Sequence, residues 1–223
     1  QYILVWASGK DKTIPGMPLH TNFSIKASDE PLILTNPYGT TICEVSPITL
    51  PSDISYGRQP DGNDNWFFFI EPTPNAPNQT QAYPGILDPP QFSHQGGFYT
   101  DDFWLAISHI DPEVIIYYTL DGSEPNPANM NVFTFTYKDK YPFNPRDPFG
   151  KFLTSTFQTY QFNDSLHIEN ICARPDSITH ISTTFDNNLC YFPENPVFKG
   201  TVVRAMAFKE GWIKSPTITH TYF

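Results

Sequence analysis

Three kinds of residue in this sequence could do chemistry, and their spacing decides what each could do. The run Asp61-Gly62-Asn63-Asp64-Asn65 gathers carboxylates and amides, the hard oxygen ligands that calcium takes. It lacks the spacing and the distal bidentate glutamate of an EF-hand loop, and an Asx-rich turn before a strand explains the same residues. Asp61, Asn63 and Asp64 are therefore the metal candidates, with calcium the one cofactor they suggest. Adjacent carboxylates occur at Asp29-Glu30 and Asp101-Asp102. Glycoside hydrolysis needs two such groups held across a scissile bond. Both pairs lie instead in turn-like stretches beside strands. The 6 histidines, His20, His94, His109, His167, His180 and His220, are scattered singly. There is no His-Glu-x-x-His, no phosphate-cradling glycine loop and no Gly-x-Ser-x-Gly elbow. The expectation is a chain without catalytic residues.

Aromatic side chains are the third kind. Trp6, Trp66, Trp104 and Trp212 could stack on the apolar C–H face of a sugar, and the alternative is that they fill cores. Most are expected inside. Trp212 falls in a turn, and Trp104 lies opposite the apolar positions Phe103, Leu105 and Ile107, so these two are the candidates for binding a glycan. The cysteines are Cys43, Cys172 and Cys190. Cys172 and Cys190 could pair in an oxidising compartment, and the alternative is three buried small hydrophobes. The sequons start at Asn22, Asn78 and Asn163.

The elements that must position these residues are short strands. Hydrophobic residues make up 39% of the 223 and aromatics 16%, enough for packed cores. The 23 prolines break up helices, and no segment keeps a 3.6-residue period. The fold expected is all-β. With 13 basic against 23 acidic side chains the net charge is −10, which repels phosphate backbones and anionic lipid. Nucleic acid is excluded as a partner on that ground. No apolar run approaches the roughly 20 residues a membrane-spanning helix needs.

Along the chain, Tyr2 to Ser8 predicts a buried strand, and Asn22 to Ala27 alternates as another. Pro31 to Thr35 and Thr41 to Ser46 are strands joined by the turn Asn36-Pro37-Tyr38-Gly39. A polar loop, SYGRQPDGNDN, leads to the strand Trp66 to Ile70. Glu71 to Pro90 is rich in Pro, Asn and Gln and predicts a semi-rigid linker. Beyond it lie Phe98 to Ser108, then VIIYYTLDGSEP at Val114 to Pro125. The latter is a strand apolar on both faces, ended by Asp121-Gly122 as a hairpin turn. Strands are also predicted at Asn131 to Tyr137, Phe162 to Ala173, Val197 to Phe208 and Pro216 to Phe223.

Two families are resembled by these stretches. YYTLDGSEP, with FSHQGGFYTDDFWLAIS before it and VFKGTVVRAMAFKEGWIKSPTITHTYF after it, resembles the chitobiase/β-hexosaminidase C-terminal-like domain. YILVWASGKDK, LHTNFSIKASDEPLILTNPYGT, SYGRQPDGNDNW and EPTPNAPN, in that order, resemble a lamin-tail domain. Both resemblances imply immunoglobulin-like β-sandwiches of bacterial surface or secreted proteins, without catalytic residues of their own. The organisation they imply is a lamin-tail-like sandwich at 1–75, a linker at 76–90 and a chitobiase-like sandwich at 91–223. The last carries a long insertion at about 129–196. The lamin-tail family's opening strands would precede Gln1, which reads as a processing boundary, and their absence would leave an N-terminal sheet edge able to pair with another chain. The function expected is a non-catalytic structural, spacer or adhesion module outside the cell. Its expected partners are other domains of its own polypeptide or surface proteins. A carbohydrate-binding accessory module is the alternative.

Overall fold

A computed structural model describes residues 2–26, 28–138, 152–174 and 197–223. Sixteen strands and one turn of 3-10 helix make up its regular structure, and the fold is all-β. The chain divides into two compact units, residues 1–86 with Gly211–Ile213, and residues 87–210 with 214–223.

In the first unit, β1 (Val5–Trp6) runs parallel to β2 (Leu19–His20). Antiparallel ribbons follow: β3 (Leu32–Thr35) with β4 (Thr41–Val45), and β5 (Ser55–Arg58) with β6 (Trp66–Phe69). The β3–β4 turn is the predicted one. The Asn36 side chain accepts the amides of Tyr38 and Thr40, each at 2.9 Å, and Gly39 takes a φ of 83°. Three expectations need correction. The Tyr2–Ser8 segment is not buried, since only Val5–Trp6 is strand and both residues are exposed. Asn22 to Ala27 contributes a single bridge, Ser24 to Ser8, with Phe23 and Ile25 exposed (Ala27 is outside the described residues). Ser55–Arg58, read as loop, is a strand. Its polar sequence hid it, but its partner β6 supplies the rings that cover it: Tyr56 stacks on Trp66 at 5.2 Å and meets Phe68 at 4.8 Å.

The proline-rich stretch after β6 is not a free linker. Phe68 and Tyr83 exchange backbone hydrogen bonds of 2.9 and 3.0 Å. The Gln59 amide donates to the carbonyls of Asn78 and Thr80, and the Asn78 amide donates to the Arg58 carbonyl at 2.8 Å. Residues 76–86 thus belong to the first unit, and the boundary falls at Ile86–Leu87.

The second unit carries the larger core. Its four-stranded sheet has the order β13 (Tyr160–Gln161), β10 (Ile115–Thr119), β15 (Thr201–Phe208), β16 (Ile218–Tyr222), antiparallel throughout. Two further pairs lie across the core: β7 (Gln91–Phe92) with β9 (Ile107–Ser108), and β8 (Phe103–Leu105) with β14 (Leu166–Ile168). Leu105, Ile107, Ile116, Tyr118, Ile168, Val203, Ala205 and Tyr222 pack together as that core. The remaining pair, β11 (Phe133–Lys138) with β12 (Phe152–Phe157), lies in the region read as an insertion. The strand predicted at Val114–Pro125 is confirmed with both faces covered, since Ile116, Tyr117, Tyr118 and Thr119 are all buried. Asp121-Gly122 makes a turn, Gly122 at φ 81°, yet not a hairpin. The chain leaves it into the 3-10 turn Pro127–Asn129, and β10 pairs with β13 and β15 instead. Asp121 Oδ1 accepts the Ser123 amide at 2.9 Å and Oδ2 accepts the Gln158 amide at 2.9 Å, so the turn is tied to a distant segment.

Candidate functional site

The oxygen-rich run is the β5–β6 turn, where Asp61 and Asn63 already have partners and Asp64 is exposed. Asp61 accepts the Tyr2 hydroxyl at 2.5 Å on one oxygen and the Asn78 amide at 3.2 Å on the other. Asn63 Oδ1 accepts the Asn65 amide at 3.1 Å, the Asx turn that competes with a calcium site. Among the described residues no group of three or more His, Cys, Asp or Glu is placed to share a metal ion.

Of the paired carboxylates, Glu30 binds the Lys26 amide at 2.9 Å and its ammonium at 3.3 Å. Asp101 accepts the Thr100 hydroxyl at 3.2 Å. These are local contacts that fix turns. Cys43 and Cys172 carry free thiols, and Cys190 lies outside the described residues, as does His180. The Cys172 sulfur meets the backbone of Lys199, accepting its amide at 3.4 Å.

The tryptophans divide differently from expectation. Trp6 is 51% exposed rather than buried. Trp212 is half-buried, its ring lying against Gly85, where a Cβ would overlap it; that packing role explains its place better than a ligand does. Trp104 stands outside. It alternates with the buried Leu105 on β8, and its indole is 64% exposed. Directly across the pair, His167 of β14 places its ring 4.9 Å away. His167 Nδ1 is 3.9 Å from Glu169, whose other oxygen binds Arg174 at 3.2 Å. The indole thus packs beside an imidazole, which continues into a carboxylate and a guanidinium. The last two are planar groups able to hydrogen-bond in pairs, and the imidazole offers single hydrogen bonds.

A second feature of this unit escaped the sequence. Asp88, Gln91, Phe92, His109, Ile218 and His220 are among the residues that line an open groove of about 590 Å³, the size of a small-ligand site. His109 is held there by backbone: Nδ1 accepts the Asp111 amide at 3.1 Å, so Nε2 donates to the Asp88 carbonyl at 3.1 Å. His220 Nδ1 accepts the Gly96 amide at 3.0 Å, which puts the hydrogen of the neutral ring on Nε2. The signal available in the sequence was weak, because these residues come from positions more than a hundred apart. A third exposed group, Phe98, Phe198 and Phe223, stacks mutually at 5.0 to 6.3 Å.

No family model matches this chain, and neither a curated protein nor a solved structure is similar to it at a significant level.

Proposed function

We propose that this chain is a non-catalytic adhesion module of a secreted or cell-surface protein, built of immunoglobulin-like sandwiches, which holds glycan on the Trp104 face. The observation that carries this reading is an indole exposed on a core-anchored strand beside His167, whose ring continues into the Glu169–Arg174 ion pair. Sugars present an apolar C–H face to such a ring and hydroxyls to the groups around it. Trp104 stays 64% exposed beside that single ring, and the apolar surface it shows to water is what a ligand would cover. The negative charge makes neutral glycan a better ligand than a polyanion.

The test is binding to a panel of chitin, cellulose and plant glycans by the native chain and by Trp104→Ala. We expect the native chain to bind at least one glycan and the variant to lose at least about tenfold in affinity. The variant's unfolding midpoint should not move, since exposed substitutions fall within about 0.5 kcal/mol. Absence of binding across the panel, or equal binding by the variant, ends the proposal.

A further inference from the structure

We propose that the groove beside β16 takes an extended peptide, which adds to the sheet as a strand through Thr219. This inference is independent of the glycan face and uses other residues. It begins with where the backbone hydrogen bonds of β16 go. The Gly97 amide donates to the Thr221 carbonyl at 2.9 Å, and the Phe223 amide donates to the Gly97 carbonyl at 2.9 Å. Those bonds cover the C-terminal half of the outer edge of β16. They also fix which residues face outward. Thr221 and Phe223 turn their peptide groups away from β15, and the strand period of two requires Thr219 to do the same. Among the described residues nothing bonds the Thr219 amide or carbonyl, so half of this edge is open.

The opposite lip is also open. On β7 the Ser93 amide donates to the Ala106 carbonyl at 2.9 Å. Phe92, one residue earlier, therefore directs its N–H and C=O away from β9. The groove lies between, lined by Ile218, His220 and Phe92, with Ile110 also on its wall. The His220 ring meets Phe92 edge-on at 4.7 Å, which holds it in place. Its Nε2 hydrogen is a donor with no partner among the described residues.

An outward amide and carbonyl on each lip, at Thr219 and at Phe92, over apolar side chains, are groups an added strand recognises. A lipid offers no matching donors, and a sugar does not repeat at the strand period. Charge narrows the class. Asp88 lines the groove, no Lys or Arg does so among the described residues, and the chain carries −10. The occupant is therefore a peptide with apolar residues at alternate positions and Lys or Arg at its ends.

The probe is a random dodecapeptide library displayed on phage, panned on the whole chain. Enriched peptides should alternate and carry basic residues, and a synthetic copy should slow hydrogen exchange of the Thr219 amide by at least about tenfold when bound. Thr219→Pro removes only an outward N–H, which an edge strand tolerates, and it should weaken the peptide by at least about tenfold. Should that variant not fold, Ile218→Asp and the exchange measurement on the native chain carry the same decision. Trp104→Ala should bind the peptide as the native chain does. Failure to enrich any peptide, or enriched peptides that leave Thr219 exchange unchanged, overturns the inference. So does exchange at Thr219 that is already slow and depends on protein concentration, because a second copy would then fill the edge.

Discussion

Asp121 offers the sharpest test of how the second unit is held. It follows β10, and one carboxylate joins two places. Oδ1 accepts the Ser123 amide at 2.9 Å and the Ser123 hydroxyl at 2.5 Å, while Oδ2 accepts the Gln158 amide at 2.9 Å just before β13. Partial burial alone would raise its pKa, and the bonds from Ser123 and Gln158 outweigh that, so the group sits below the ordinary aspartate range. Bonds to a charged group contribute about 1.5–3 kcal/mol each when sheltered. This carboxylate is exposed, so Asp121→Ala should cost about 1–2 kcal/mol in all. A change of that size lowers the Tm of the second unit by roughly 2–8 °C. The sign with pH follows from linkage. A depressed folded pKa contributes stability that is complete above the unfolded value near 3.9 and is lost as pH falls through the folded one. The gap between native chain and variant should be constant from about pH 7 to 5 and close below about pH 4. Calorimetry of both proteins across that range decides it. Equal Tm values at neutral pH, or a gap that persists unchanged at low pH, would refute the reasoning.

Leu105 is fully buried in the core of the second unit, so Leu105→Ala should cost about 2–5 kcal/mol in a urea titration. A cost under about 1 kcal/mol would mean that the core rearranges to fill the gap. Gly85→Ala would drive a methyl into the Trp212 ring, and overpacking of that kind costs about 1–3 kcal/mol. Its signature is a change in tryptophan fluorescence that Gly97→Ala, whose added methyl would meet only the Tyr99 ring at 3.8 Å, does not share. Asn78 Nδ2 donates to the Arg58 carbonyl and its Oδ1 accepts the Thr73 hydroxyl, so Asn78→Ala should destabilise the first unit by about 1–3 kcal/mol. When the chain is expressed through a glycosylating secretory pathway, mass spectrometry should find Asn78 without glycan, because attachment to Nδ2 competes with the Arg58 bond.

The second unit was legible where its strands run five residues or more, at β10, β15 and β16. Ile116 and Tyr118 face the core with Val203 and Ala205, as the two-residue period required. Trp104 was set on the face opposite Leu105 and Ile107 by the same rule, and that face proves to be the exposed one. The partner of β10 was not legible. An Asp-Gly turn after a strand argues for a hairpin, and only the long-range bond to Gln158 shows that the chain goes elsewhere. The groove was hidden for a related reason. Its donors and acceptors are backbone atoms, which every residue carries, and which of them remain unpaired is a property of topology.

The first unit shows where alternation says least. Leu32, Ile33 and Leu34 form half of a two-stranded ribbon, and all three are exposed. Phe69 is the one large apolar side chain fully buried in 1–86 among the described residues. A pattern of apolar residues fixes that a strand forms, but whether a second layer covers it depends on the rest of the fold. What holds this unit is largely polar: Asn36 in its turn, Asp61 joining Tyr2 to Asn78, and Gln59 gripping two carbonyls of the segment read as linker. That inverts the usual division between core and loop. The residues read as turn and linker help bind the unit together, while the apolar strand β3 is left as surface.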